Sequence, residues 1–164
     1  MNTETADSLG GASHTSPAPS VMMGIQYVKS VEFQVLGAPA IYSRVTERPH
    51  LGVSVDVRAH QMGENQPNFE VELILRCQGH LPAQREGEEV VPLFDVNLTY
   101  AGIFTLQHAT AETFETLLLI EAPRLLYPAA RNMLATLCRE AGFLPVIMQQ
   151  IDFAALWRNR RAVG

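Results

Sequence analysis

The sequence predicts an α+β fold: a four-stranded antiparallel sheet followed by two main C-terminal helices. Two observations carry this prediction. Apolar residues alternate with a period of two from Ile25 to Tyr100, and from Thr110 onward they recur with a helical period. The connections between the alternating runs are short and polar, which favours antiparallel neighbours. The 164 residues make one domain, and a hydrophobic fraction of 47% is ample for a core without staples.

Residues 1–24 are rich in Ser, Thr, Gly, Pro and Ala. They lack the cationic start and apolar run of a secretory signal, and read as a disordered tail before a domain spanning 25–164. Ile25, Tyr27, Val31, Phe33 and Val35 form the first alternation, interrupted near Lys29 and Ser30 and ended by Gly37-Ala38-Pro39. Leu51, Val53, Val55 and Val57 alternate strictly with Gly52, Ser54, Asp56 and Arg58, the cleanest strand signal in the chain. Turn chemistry between Gln61 and Pro67 leads to Phe69, Val71, Leu73, Leu75 and Cys77, and a Glu-rich loop leads to Phe94, Val96, Leu98 and Tyr100.

Thr110 is placed to cap a short apolar helix, Phe114 to Ile120, expected to stop at Pro123. A second helix is expected from Pro128 to just before Gly142, with Ala130, Met133, Leu134, Leu137, Cys138 and Ala141 on one stripe. Asp152 can cap a last helix that carries Phe153, Leu156 and Trp157 on one face.

Composition excludes several function classes. Twelve Lys and Arg against seventeen Asp and Glu give a net charge of −5, a poor match to a nucleic-acid backbone. No run approaches the roughly 18 apolar residues of a membrane span. Cys77 and Cys138 fall in apolar patterns and read as small core residues, and the cytoplasm is the expected compartment. The five histidines stand apart, and there is no phosphate loop, nucleophile elbow, HExxH or CxxC. No catalytic residue, metal ligand or cofactor is therefore expected, and the chain does not read as an enzyme. An apolar surplus at Leu51, Val53 and Val55 and from Met148 to Trp157 has two readings. It is extra core or a subunit interface, or it is an exposed binding groove.

Three segments appear in a telling order: Tyr100-Ala-Gly-Ile-Phe104, Glu121-Ala-Pro-Arg-Leu-Leu-Tyr-Pro-Ala-Ala-Arg131 and Ile151-Asp-Phe-Ala-Ala-Leu-Trp157. They resemble the bacterial SecB export chaperone family, in which Gly-Gly-(Ile/Leu)-Phe precedes Cys-Pro-x-x-Leu-Phe-Pro-x-Ala-Arg and then (Asp/Asn)-Phe-x-x-Leu-(Phe/Tyr). The resemblance spans roughly residues 25–161. It implies an ATP-independent holdase that binds unfolded preproteins in apolar grooves, works as a homotetramer (a dimer of dimers) and delivers its clients to the SecA motor. It implies a client-binding set of Leu51, Val53, Val55, Val146, Met148, Phe153, Leu156 and Trp157. It implies a subunit interface at Val96, Leu98 and Tyr100, to which the helix stripe adds Leu137, and a SecA-facing set of Ser30, Glu32, Gln34, Asp95 and Asn97.

Ser30, Gln34 and Asn97 stand where the family usually carries acids, so strong SecA docking is not expected; Glu32 and Asp95 compensate in part. Leu144 and Gln150 replace the family's prolines, and Arg161 replaces an apolar groove residue. Two rivals stay open: a SecB-like chaperone dedicated to another partner, as in toxin–antitoxin systems, and a small-ligand binder or enzyme on the same scaffold.

Overall fold

The computed structural model describes Ser13 and residues 15–163. The tail expected over residues 1–24 falls largely outside the described residues, at 1–12 and 14. Strand β1 spans Ser20–Val35, β2 His50–Gln61, β3 Asn68–Leu81 and β4 Val91–Gln107. They form one antiparallel sheet in the order β1-β4-β3-β2. Helix α1 (Phe114–Thr116) passes through a π-helical turn, Leu117–Glu121, into α2 (Ala122–Glu140), and α3 spans Phe153–Val163. The predicted α+β architecture is the one observed.

Alternation explains the layers. On β3 the odd residues from Phe69 to Cys77 and on β4 the even residues from Phe94 to Leu106 face the helices and are buried. Ala122, Leu126, Ala130, Leu134 and Cys138 of α2 close over them, with Phe143 and Phe153 at the flank. Phe94 packs between Phe33, on which it stacks, and Phe143, to which it is tilted, with ring centroids 5.2 Å from each. That ring lies where a Cβ on Gly79 would sit, 2.2 Å from such an atom, so the backbone must lack a side chain there.

Two expectations need correction, and a third gains its physical reason. β1 starts at Ser20, because Ser20–Met23 pair with Phe104–Gln107 of β4; the strand takes residues assigned to the tail. The interruption at Lys29 is a register shift between Val28 and Ser30, a bulge inside a continuing strand. The helix does not stop at Pro123 or begin at Pro128. Pro123 sits in the first turn of α2, behind a π-turn in which Ala122 N–H reaches the Leu117 carbonyl. Pro128 is inside the helix but on its exposed side, so the carbonyl it leaves unpaired faces water. One cap matches, Ala155 N–H donating to Asp152 Oδ1 at 3.0 Å, whereas Thr110 Oγ1 accepts from Thr113 N–H in the turn before α1, whose own N-cap, Thr113, makes no side-chain cap.

Candidate functional site

The sheet's inner face is covered unevenly. Leu51, Val53 and Val55 of β2 point to the helix side, yet Val53 keeps 41% of its surface exposed because α2 does not reach the β2 edge. Opposite them runs the linker before α3. Its residues alternate in turn: Val146 and Met148 face the core while Ile147 is 68% exposed. The Tyr127 hydroxyl donates to the Gln149 carbonyl and pins this linker to α2. Between linker and strand lies a cleft of about 640 Å³, walled by apolar Leu51, Val53, Val55, Ile147, Met148 and Ile151 and by polar Arg48, His50, His80, Gln149 and Gln150.

The expected client-binding residues therefore separate. Leu51, Val53, Val55 and Met148 share the cleft. Val146 and Phe153 belong to the protomer's core; Phe153 is 1% exposed and packs edge-on against Tyr127 at 6.0 Å. Trp157 follows one turn later on the same side of α3, but there the helix leaves the core, so the two side chains differ in burial and in partners. Leu156 and Trp157 are half-buried. Trp157 Nε1 donates to Glu115 Oε1 at 3.1 Å, and the Arg161 guanidinium lies 5.1 Å above the indole ring. Ile147 and Ile151 were missed by sequence reasoning; the signal available was the uninterrupted apolar run Val146, Ile147 and Met148, which in an extended linker must turn one side chain away from the core.

A second apolar pocket of about 390 Å³ lies farther along β2, lined by Val57, Ala59, Phe69, Phe114, Leu118 and Leu119. A charged pair stands at Val57. Val57 N–H donates to Asp56 Oδ1 at 2.9 Å, and Arg160 Nη1 donates to the Val57 carbonyl at 2.6 Å while lying 3.4 Å from Asp56 Oδ1.

The expected subunit-interface set also divides. Val96 (1%), Leu98 (0%) and Tyr100 (8%) are buried inside the protomer, so they have almost no side-chain surface left for a second chain. Leu137 is different. It continues a partly open row on α2, Leu125, Ala129 and Met133, one turn apart and beside the buried stripe.

The outer face of the sheet is open. The register places Ser30 opposite Thr99, Glu32 opposite Asn97 and Gln34 opposite Asp95, so the expected SecA-facing residues form one exposed patch. Arg76, opposite Asn97 on the other side, sets an exposed cation in the same row. Beside the patch, Lys29 at the bulge donates to Glu70 at 2.6 Å and also to Glu72, and the Tyr27 hydroxyl donates to Glu70. Hydrogen bonds from Lys29, then Tyr27, hold the Glu70 carboxyl below its ordinary range. The bonds to Glu70 and Glu72 raise the Lys29 ammonium, and the bond to Glu70 raises the Tyr27 phenol.

Cys77 and Cys138 are free thiols in the core, pushed up by burial to about 12 and about 11. Neither is a nucleophile at neutral pH. Among the described residues no His, Cys, Asp or Glu group has the makings of a metal site, and no helix is long and apolar enough to cross a membrane.

With this geometry in place, comparisons with known proteins are specific. The family described as "Preprotein translocase subunit SecB" matches residues 14–163. The "Protein-export protein SecB" of Granulibacter bethesdensis is 42% identical over 88% of this chain and 84% of its own length. That of Acidiphilium cryptum is 39% identical over 92% and 93%. The "Protein-export protein SecB 1" of Gluconobacter oxydans is 35% identical over 99% and 94%. Among solved structures, a SecB-like chaperone of Mycobacterium tuberculosis in complex with an antitoxin peptide covers 80% of this chain and 91% of its own, with a TM-score of 0.63 at 12% identity. That likeness is one of fold.

Proposed function

We propose that this chain, which belongs to the SecB family of protein-export chaperones, holds unfolded preproteins in the cytoplasm by seating extended apolar segments in the cleft beside β2. The observation that carries this reading is the cleft itself: Leu51, Val53 and Val55 form an ordered apolar row that the protomer leaves partly uncovered. Clients that share only exposed hydrophobicity need such a wall, apolar and undemanding in shape. The activity needs no nucleotide, metal or redox partner, since apolar burial alone supplies the affinity, and the protein catalyses no reaction.

The working form is a homotetramer. The partly open row Leu125, Ala129, Met133 and Leu137 on α2, and the exposed Met22, Ile25 and Val31 on edge strand β1, support it as apolar surface suited to other copies. SecA docks on the outer sheet face through Glu32 and Asp95, and does so weakly, because Ser30, Gln34 and Asn97 bring no charge and Arg76 opposes it. The same weak patch favours a second reading, a chaperone dedicated to a small client other than export substrates.

The test is suppression of aggregation of an unfolded preprotein with chelator present and ATP absent. Suppression at a near-stoichiometric ratio is expected; an absolute requirement for ATP or metal would overturn the reading. Co-purification with SecA, against co-purification with a single small client, separates the two partners.

A further inference from the structure

β2 is an edge strand, paired with β3 on one side and with no strand on the other among the described residues. Its register with β3 is unbroken from His50 to Gln61, so the side to which main-chain groups point alternates without a slip. In an antiparallel ladder a residue sends its N–H and C=O to the same side. Val57 reveals which residues point outward: its N–H meets Asp56 and its C=O meets Arg160, so both groups face away from β3. By the same parity the main-chain groups of Leu51, Val53, Val55 and Ala59 also face outward. The residues whose side chains wall the cleft are thus those whose backbone donors and acceptors are open at its edge. Among the described residues, only Val57 has these groups already occupied. That occupied point falls between the larger cleft and the second apolar pocket, which begins at Val57 and Ala59.

We propose that Asp56 and Arg160 form a gate across the β2 edge. An extended client segment adds main chain to main chain along Leu51, Val53 and Val55, halts at Val57, and enters the second pocket only when the gate opens. This rests on the client-binding reading above and specifies how that cleft engages its ligand. Main-chain pairing suits a chaperone because every client carries the same backbone, while the apolar walls select the segments worth holding. The gate is a half-exposed ion pair, so it can open without a large cost and is weakened by salt. Removing Arg160 would join the two apolar spaces into one channel along β2.

The experiment is amide hydrogen exchange on the full chain, with and without a soluble Val/Thr peptide of about ten residues, long enough at about 3.3 Å per residue to run past Ala59. In the wild type, the Val53 and Val55 amides should gain protection on binding and the Ala59 amide should not. In Arg160→Gln, protection should extend to Ala59 and binding should tighten, on the order of tenfold for two added main-chain hydrogen bonds. Asp56→Asn keeps an acceptor for Val57 N–H but discharges the pair; it should move in the same direction by less, and it guards against a displaced α3 in the first variant. Peptide binding without protection at Val53 and Val55 would overturn the pairing and leave client binding standing. Equal protection of Ala59 in wild type and variants would overturn the gate. Failure to bind either the peptide or an unfolded protein would instead overturn the client-binding reading itself.

Discussion

Strands β2 and β3 carry nearly the same pattern, and the fold uses them in opposite ways. On β3, Val71, Leu73 and Leu75 are sealed under α2. On β2, directly across the ladder, Val53 faces Cys77 and Val55 faces Leu75, yet both stay partly open. Alternation dictates which face of a strand is apolar; whether that face is covered depends on how far the helices reach. The central strand's side chains stabilise the protomer, whereas those of the edge strand remain available to a ligand. Truncating one should cost stability, and altering the other should cost binding.

The largest effect is expected at Leu73. Leu73→Ala leaves a cavity under α2 and should destabilise the protomer by about 3 kcal/mol, measured by urea unfolding, while the molecules still folded bind client normally. Gly79→Ala attacks the same core from the backbone, forcing the Phe94 ring aside, and should cost about 1–3 kcal/mol. A loss below about 0.5 kcal/mol would mean that this ring moves freely.

Smaller effects belong to the outer face. Glu70 is held low, so its contribution is present above the ordinary carboxylate range, near about 4.3, and is lost as pH falls through its lowered folded value. Lys29 is raised, so its contribution is present below about 10.4 and is lost as pH rises through its folded value. Stability should therefore be flat between these limits. Lys29→Met should remove the ammonium's alkaline slope and shrink the acid one, which the Tyr27 hydrogen bond still supports, at a cost of about 1 kcal/mol, the ammonium being partly solvated. Urea midpoints taken across pH for both proteins decide this.

The smallest change in stability is expected from Ser30→Asp, Gln34→Glu and Asn97→Glu combined, which should strengthen SecA binding by an amount that shrinks with added salt. Unchanged SecA affinity would move docking off this face.

Most of the fold was legible because period-two and helical patterns are local properties. The boundaries that were misread depend on partners elsewhere. Ser20 joins β1 because β4 extends to Gln107, and Pro128 is tolerated because its side of α2 faces water. The candidate site was legible only in half. Leu51, Val53 and Val55 announce themselves, but Val96, Leu98 and Tyr100 share the same alternation and go into the core. No local signal joins Arg160 to Val57, 103 residues away. Arg76 reads as an ordinary outward residue of β3 until the register sets it beside Asn97.

The most direct test of the central claim is the affinity of Val53→Asp for an unfolded, carboxymethylated protein, measured beside its urea midpoint. A carboxylate in the open cleft should weaken client binding by about tenfold or more, because an apolar segment would have to desolvate it. The side chain is exposed enough that stability should shift by no more than about 0.5 kcal/mol. Full affinity in a stably folded Val53→Asp would contradict the account and place client binding on another surface.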